Sequence, residues 1–126
     1  MAGLTLDAGP LILADRLDQR IGPYLAAAAR RTPGVLTVPA SALAQAWRGP
    51  RNANLGRFLA GCELEAMSPD LARRAGVLCG LAGTSDIVDA AVMASAAQRG
   101  DAVLTTDYDD LARLALILPS VRVIRI

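Results

Sequence analysis

Ala102-Val-Leu-Thr-Thr-Asp107-Tyr-Asp-Asp-Leu111 is the stretch that decides the fold. Residues 102–105 have strand character, an acid follows at 107, and a short helix is expected over 109–116. Upstream, residues 86–98 read as a helix that Gly100 stops, with Thr84 or Ser85 as its cap. Downstream, Pro119-Ser120 breaks the chain, and 121–126 alternates apolar residues with arginine, as an edge or half-covered strand does. The opening of the chain repeats the pattern. Leu4-Thr-Leu-Asp7 is a short buried strand ending in an acid, and Gly9-Pro10 marks a turn into the apolar run 11–14.

The middle fills in by the same reasoning. Residues 22–31 look helical until Pro33 and Gly34 stop them, and 35–38 is a second strand. Pro39 suits the first turn of a helix running to Trp47, which Gly49 and Pro50 end. A further helix spans 52–59, and 64–67 is a short strand. Ser68-Pro69-Asp70 starts a helix with a capping hydroxyl, a proline and a first-turn acid; it ends near Gly83. Strands alternating with helices predict an α/β sandwich around a mostly parallel sheet of four to five strands, as one domain over 1–126.

The composition excludes much chemistry. All 13 basic residues are arginine, and histidine is absent, so there is no Ser–His–Asp or Cys–His catalysis, no imidazole metal ligand and no Walker lysine. Cys62 and Cys79 are too few for a structural zinc site and read as free buried thiols. A net charge of +1 gives no global field for nucleic acid, so any RNA contact needs a local patch. The first residues lack the basic region of a signal peptide, and no apolar run reaches membrane-span length. A cytoplasmic chain without a membrane partner is the expectation.

Carboxylates remain. In a parallel α/β fold ligands bind at the carboxyl ends of the strands. Asp7 and Asp107 sit just past two such ends, and Asp89 lies in the first turns of a helix with Asp86 as its i−3 neighbour. Taken singly, each is ordinary turn or capping chemistry. If they converge, their repulsion demands a proton or a cation. An all-oxygen set favours Mg²⁺, with Mn²⁺ as a substitute, over zinc.

Four segments together resemble the PIN-domain ribonucleases that serve as VapC-type toxins in VapBC toxin–antitoxin systems. They are Leu4-Thr-Leu-Asp7, Val38-Pro-Ala-Ser-Ala-Leu-Ala-Gln-Ala-Trp-Arg48, Thr84-Ser-Asp-Ile-Val-Asp89-Ala-Ala-Val and Val103-Leu-Thr-Thr-Asp107-Tyr-Asp-Asp-Leu111. The resemblance covers essentially the whole chain. It implies a three-layer α/β/α sandwich, Mg²⁺-dependent RNA cleavage and neutralisation by a VapB-type antitoxin. It also implies a homodimer or larger assembly, with DNA contact left to the antitoxin. It casts Asp7, Asp89 and Asp107 as three of four metal-binding acids. The fourth, usually Glu, is Gln45 here, which supplies oxygen but no charge. That departure leaves a catalytically weak or inactive PIN-fold binding module as the alternative. Asp86 and Asp110 are candidates to make up the missing charge. Thr5, Thr105 and Thr106 are candidates to hold the carboxylates, Thr105 foremost. Arg48, Arg51 and Arg57 are candidates for an RNA patch, and Trp47 is expected in a core or dimer interface. A receiver-like domain is excluded by the missing lysine, and a dinucleotide fold by the lack of GxGxxG after the first strand.

Overall fold

A computed structural model describes residues 3–30 and 35–126. The elements run β1 (Leu4–Leu6), α1 (Ala8–Asp15), a 3-10 turn (Gln19–Ile21), α2 (Gly22–Ala29), β2 (Leu36–Pro39), α3 (Ala40–Ala46) and α4 (Ala53–Leu59). They continue with β3 (Glu63–Glu65), α5 (Pro69–Ala82), α6 (Ile87–Arg99), β4 (Ala102–Thr105), α7 (Tyr108–Ala115) and β5 (Val123–Arg125). The sheet order is β3-β2-β1-β4-β5, and every pairing is parallel.

Right-handed crossovers fix which face each helix takes. The steps from β1 to β2 to β3 move one way across the sheet, and the jump from β3 to β4 reverses direction. Helices α1 to α4 therefore cover one face, and α5 to α7 the other. β1 and β4 are neighbours whose following segments leave toward opposite faces. This is the topological switch point, where a crevice opens beyond the strand ends. Asp7 directly follows β1, and Asp107 lies two residues past the end of β4.

The core is aliphatic, as the low aromatic content requires. Leu6, Leu11, Leu36, Val38, Val103 and Leu104 are buried on and around the sheet. Along α6 the small residues Ala90, Ala91, Ala94 and Ala96 are buried with Met93, which lets that helix lie close to β1 and β4.

Several local expectations shift. Gly9 and Pro10 do not form a turn but lie in the first turn of α1. A proline costs nothing there, because the first four helical N–H groups have no partner anyway. Pro39 closes β2 and precedes α3 rather than opening it. The strand expected over 64–67 is Glu63–Glu65. Ser68 caps α5 as expected, accepting from the Leu71 N–H at 3.1 Å. Gly83 and Gly100 end α5 and α6 in left-handed conformations, φ 69° and 72°. The α6 cap is neither Thr84 nor Ser85 but Asp86, which accepts from the Asp89 N–H. Pro33 and Gly34 lie outside the described residues. No single helix is long and apolar enough to cross a membrane.

Candidate functional site

Asp7 is carried to the switch point by β1, and the β1–β4 ladder continues through it, its N–H donating to the Leu104 carbonyl at 3.1 Å. Its side chain is 5% exposed. One carboxylate oxygen, Oδ2, accepts from the Thr105 hydroxyl at 2.8 Å; the other, Oδ1, is buried with no hydrogen-bond partner. Thr105 ends β4 and in turn accepts from the Asp107 N–H at 2.9 Å. A single hydroxyl thus ties both strand-end aspartates together. The loops are also pressed close: a Cβ at Gly9 would meet Thr106 Oγ1 at 1.9 Å. Glycine is required there to let the two loops touch.

Asp89 enters from the opposite side, in the first turn of α6. Burial, then the charges of Asp86 and Asp7, a hydrogen bond with Asp86 and the charge of Asp107 push its carboxyl up to about 7. Asp107 is raised as well, by desolvation first, then by Asp110 through a hydrogen bond and its charge, then by Asp7 and Asp109. A cavity of about 200 Å³ opens beside them, lined by Asp86, Asp89, Asp110 and Arg113.

Three observations fit a hard divalent cation: an all-oxygen donor set, carboxyls held in mutual repulsion, and a buried aspartate oxygen lacking a partner. The cluster is nevertheless open. Among the described residues, no three acid or thiol side chains stand close enough as placed to grip one ion. Like-charge repulsion favours that spacing.

By sequence, no family model matches the chain, and no curated protein does. By shape it is similar to a solved structure described as VapBC2 from Rickettsia felis bound to a DNA fragment from their promoter. The TM-score is 0.71 over 98% of each chain, at 13% identity. The fold is PIN-like. Parallel sheet, two helical layers and the acids beyond β1 and β4 are its frame here.

On that frame the remaining candidates separate. Asp86 and Asp110 border the cavity with Asp89. Asp86 also caps α6, and Asp110 pairs with Arg113. Gln45 is on the exposed side of α3 and makes no hydrogen bond among the described residues. Thr5 does not reach the site; its hydroxyl donates to Asp101 and accepts from Arg99. Thr106 packs on Gly9. Arg48 is turned back on its own helix, donating to the carbonyls of Ala44 and Trp47. That capping use is the physical reason it does not project as a free phosphate fork. Arg57 donates to Asn54, and Arg51 is exposed. Trp47 is 40% exposed and so is not a core residue. Both cysteines are free; burial pushes the Cys62 thiol up to about 12, which makes it inert.

Three features escaped the sequence reading. Asp15 ends α1 and accepts from the Leu55 N–H and the Asn52 amide, so it caps α4 from 40 residues away. Arg99 donates to Glu65, Asp101, Thr5 and Ser95, binding α6 to the sheet. Arg113 and Arg125 flank the acids. Only the first had a local signal, an acid at the C-terminal end of a helix, where the dipole disfavours it unless it serves another element.

Proposed function

We propose that this chain is a divalent-metal-dependent endoribonuclease of the VapC toxin type. The observation that carries the reading is the set of aspartates at the switch point, with the Asp89 carboxyl raised by burial and by its acidic neighbours and Asp7 Oδ1 left without a partner. Asp7, Asp89 and Asp107 would hold Mg²⁺ or Mn²⁺, with Asp86, Asp110 and Gln45 as further oxygen donors. The bound ion supplies charge neutralisation on a phosphodiester and a more acidic water. The chain's own residues set the stage. Thr105 fixes Asp7 and the backbone at Asp107, and Asp86 holds the first turn of α6. The burial and neighbouring acids that raise the Asp89 carboxyl in the free chain would be offset by the bound cation, which favours its ionised form.

The reading extends to a VapB-type antitoxin partner, a homodimer or larger assembly, and a cytoplasmic location. The similar structure is of a VapBC2 pair on promoter DNA. A net charge of +1 is consistent with leaving DNA to the partner.

A second reading is a PIN-fold binding module with weak or no activity. The neutral, exposed Gln45 and the open spacing of the acids favour it. One experiment separates the two. The purified chain is incubated with cellular RNA in Mg²⁺, Mn²⁺ or EDTA, beside Asp89→Asn and Gln45→Glu. Metal-dependent cleavage that Asp89→Asn abolishes supports the enzyme. No cleavage by the natural chain, restored by Gln45→Glu, establishes the binding module.

A further inference from the structure

Two cavities flank the Asp107–Asp110 pair. One, about 200 Å³, is lined by Asp86, Asp89, Asp110 and Arg113; the other, about 130 Å³, by Asp107, Tyr108, Asp109 and Arg125. Each contains one arginine. The centre between them is acidic, so an anionic strand is repelled there and must be held from the edges. Arg113 and Arg125 are suited to that. Their side chains are 75% and 67% exposed, and each leans on a carboxylate of the cleft, Asp110 at 2.5 Å and Asp109 at 3.9 Å. Exposed pairs of this kind are weak and exchange readily, so both guanidinium forks are available to a phosphate. Tyr108 lines the second cavity with Arg125 and is 36% exposed, with the Arg125 guanidinium 4.8 Å from its ring centre. A partly open aromatic ring backed by arginine is a stacking platform for an unpaired base. Asp7, whose charge acts on both Asp89 and Asp107, is nearly buried with its Oδ1 unpartnered, the mark of a place built for a ligand.

We propose that these flanks are the two holding subsites for single-stranded RNA. Arg113 and Arg125 each take a backbone phosphate on either side of the aspartates, and Tyr108 stacks one base. Small cavities and an exposed ring suit an unstacked strand rather than a duplex. The proposal rests on the ribonuclease reading for the identity of the strand, not for the geometry of its grip.

The test is binding rather than turnover. Fluorescein-labelled single-stranded RNA is titrated by anisotropy in Ca²⁺ over a range of salt, with wild type, Arg113→Gln, Arg125→Gln, Tyr108→Ala and Tyr108→Phe. Each arginine variant should bind about five- to tenfold more weakly and lower the slope of log K against log salt by about 0.7, one phosphate contact on a single strand. Tyr108→Ala should lose about tenfold with the slope unchanged, and Tyr108→Phe should retain the affinity. Thermal melts establish that each variant is folded; should a glutamine variant not fold, alanine at the same arginine replaces it, with the same loss of affinity and slope expected. Unchanged affinity and slope in all three loss variants overturns the subsites, and cleavage retained by wild type then leaves the ribonuclease reading standing. Binding with the expected slopes but no cleavage in any metal supports the subsites and overturns the ribonuclease reading. A wild type that neither binds nor cuts overturns both.

Discussion

An aspartate that titrates near pH 7 ties the stability of the folded chain to pH in a direction opposite to most carboxylates. The Asp89 carboxyl has an ordinary value of 3.8 and is pushed up to about 7 in the fold. The folded state therefore binds a proton that the unfolded state has released, and stability falls as pH rises between those values. In chelator, the thermal midpoint should drop from pH 4.5 to pH 7.5, and Asp89→Asn should flatten that slope. A midpoint that rises over the same interval in wild type would remove the repulsive cluster. Asp18, held down to about 2 by its hydrogen bonds with Arg20, acts in the opposite sense, but its window lies below that interval. Thr105 offers a second residue-scale outcome. Thr105→Val keeps the shape but removes a donor to Asp7 and an acceptor for the Asp107 N–H. It should cost about 1–3 kcal/mol by denaturant unfolding, and weaken Mn²⁺ binding by about 10- to 100-fold in calorimetry. Metal affinity equal to wild type would make Thr105 a structural link alone.

Among the elements, α6 is the one held most heavily. Its C-terminal Arg99 reaches β1 through Thr5, β3 through Glu65 and the start of β4 through Asp101, while its first turn delivers Asp89. Arg99→Leu leaves Asp101, 4% exposed, and Glu65, 22% exposed, without their shared cation. The expected loss is about 3–5 kcal/mol in denaturant melts. Arg99→Lys should recover only part, since one ammonium cannot span four acceptors. Loss below about 1 kcal/mol would mean that the network is solvated rather than buried. Elements were readable where sequence carries its own punctuation. Ser68-Pro69 and Gly83 bracket α5, and Gly100 ends α6, because caps and left-handed turns are local chemistry. Gly9-Pro10 was misread because the same pair suits a turn or a helix start, and only the packing of Gly9 on Thr106 decides.

At the scale of the molecule, the cluster joins parts of the fold that unfold together, so a cation should stabilise everything at once. At about ten times its dissociation constant it adds about 1.4 kcal/mol, or about 5 °C for a chain of this size. Calorimetry in Mn²⁺ should show one transition moved upward in wild type and unmoved in Asp7→Asn. A second, unshifted transition would confine the ion to a local segment. The aspartates were legible because parallel topology dictates where strand ends gather. The arginines beside them were not. Arg48, beside the helix that bears Gln45, turns back to cap α3, whereas Arg113 and Arg125 reach the cleft through the docking of α7 and β5, which no local pattern encodes. The order of the strands has a consequence for synthesis. Asp7 and Thr105 are 98 residues apart in sequence, and β4 must slot in beside β1 after almost all of the chain has been made. Until then a ribosome-bound chain has an uncovered β1 margin, open to mispairing or to a chaperone. It also lacks Thr105 and Asp107, so a chain cut short before β4 cannot assemble the linked pair of strand-end aspartates.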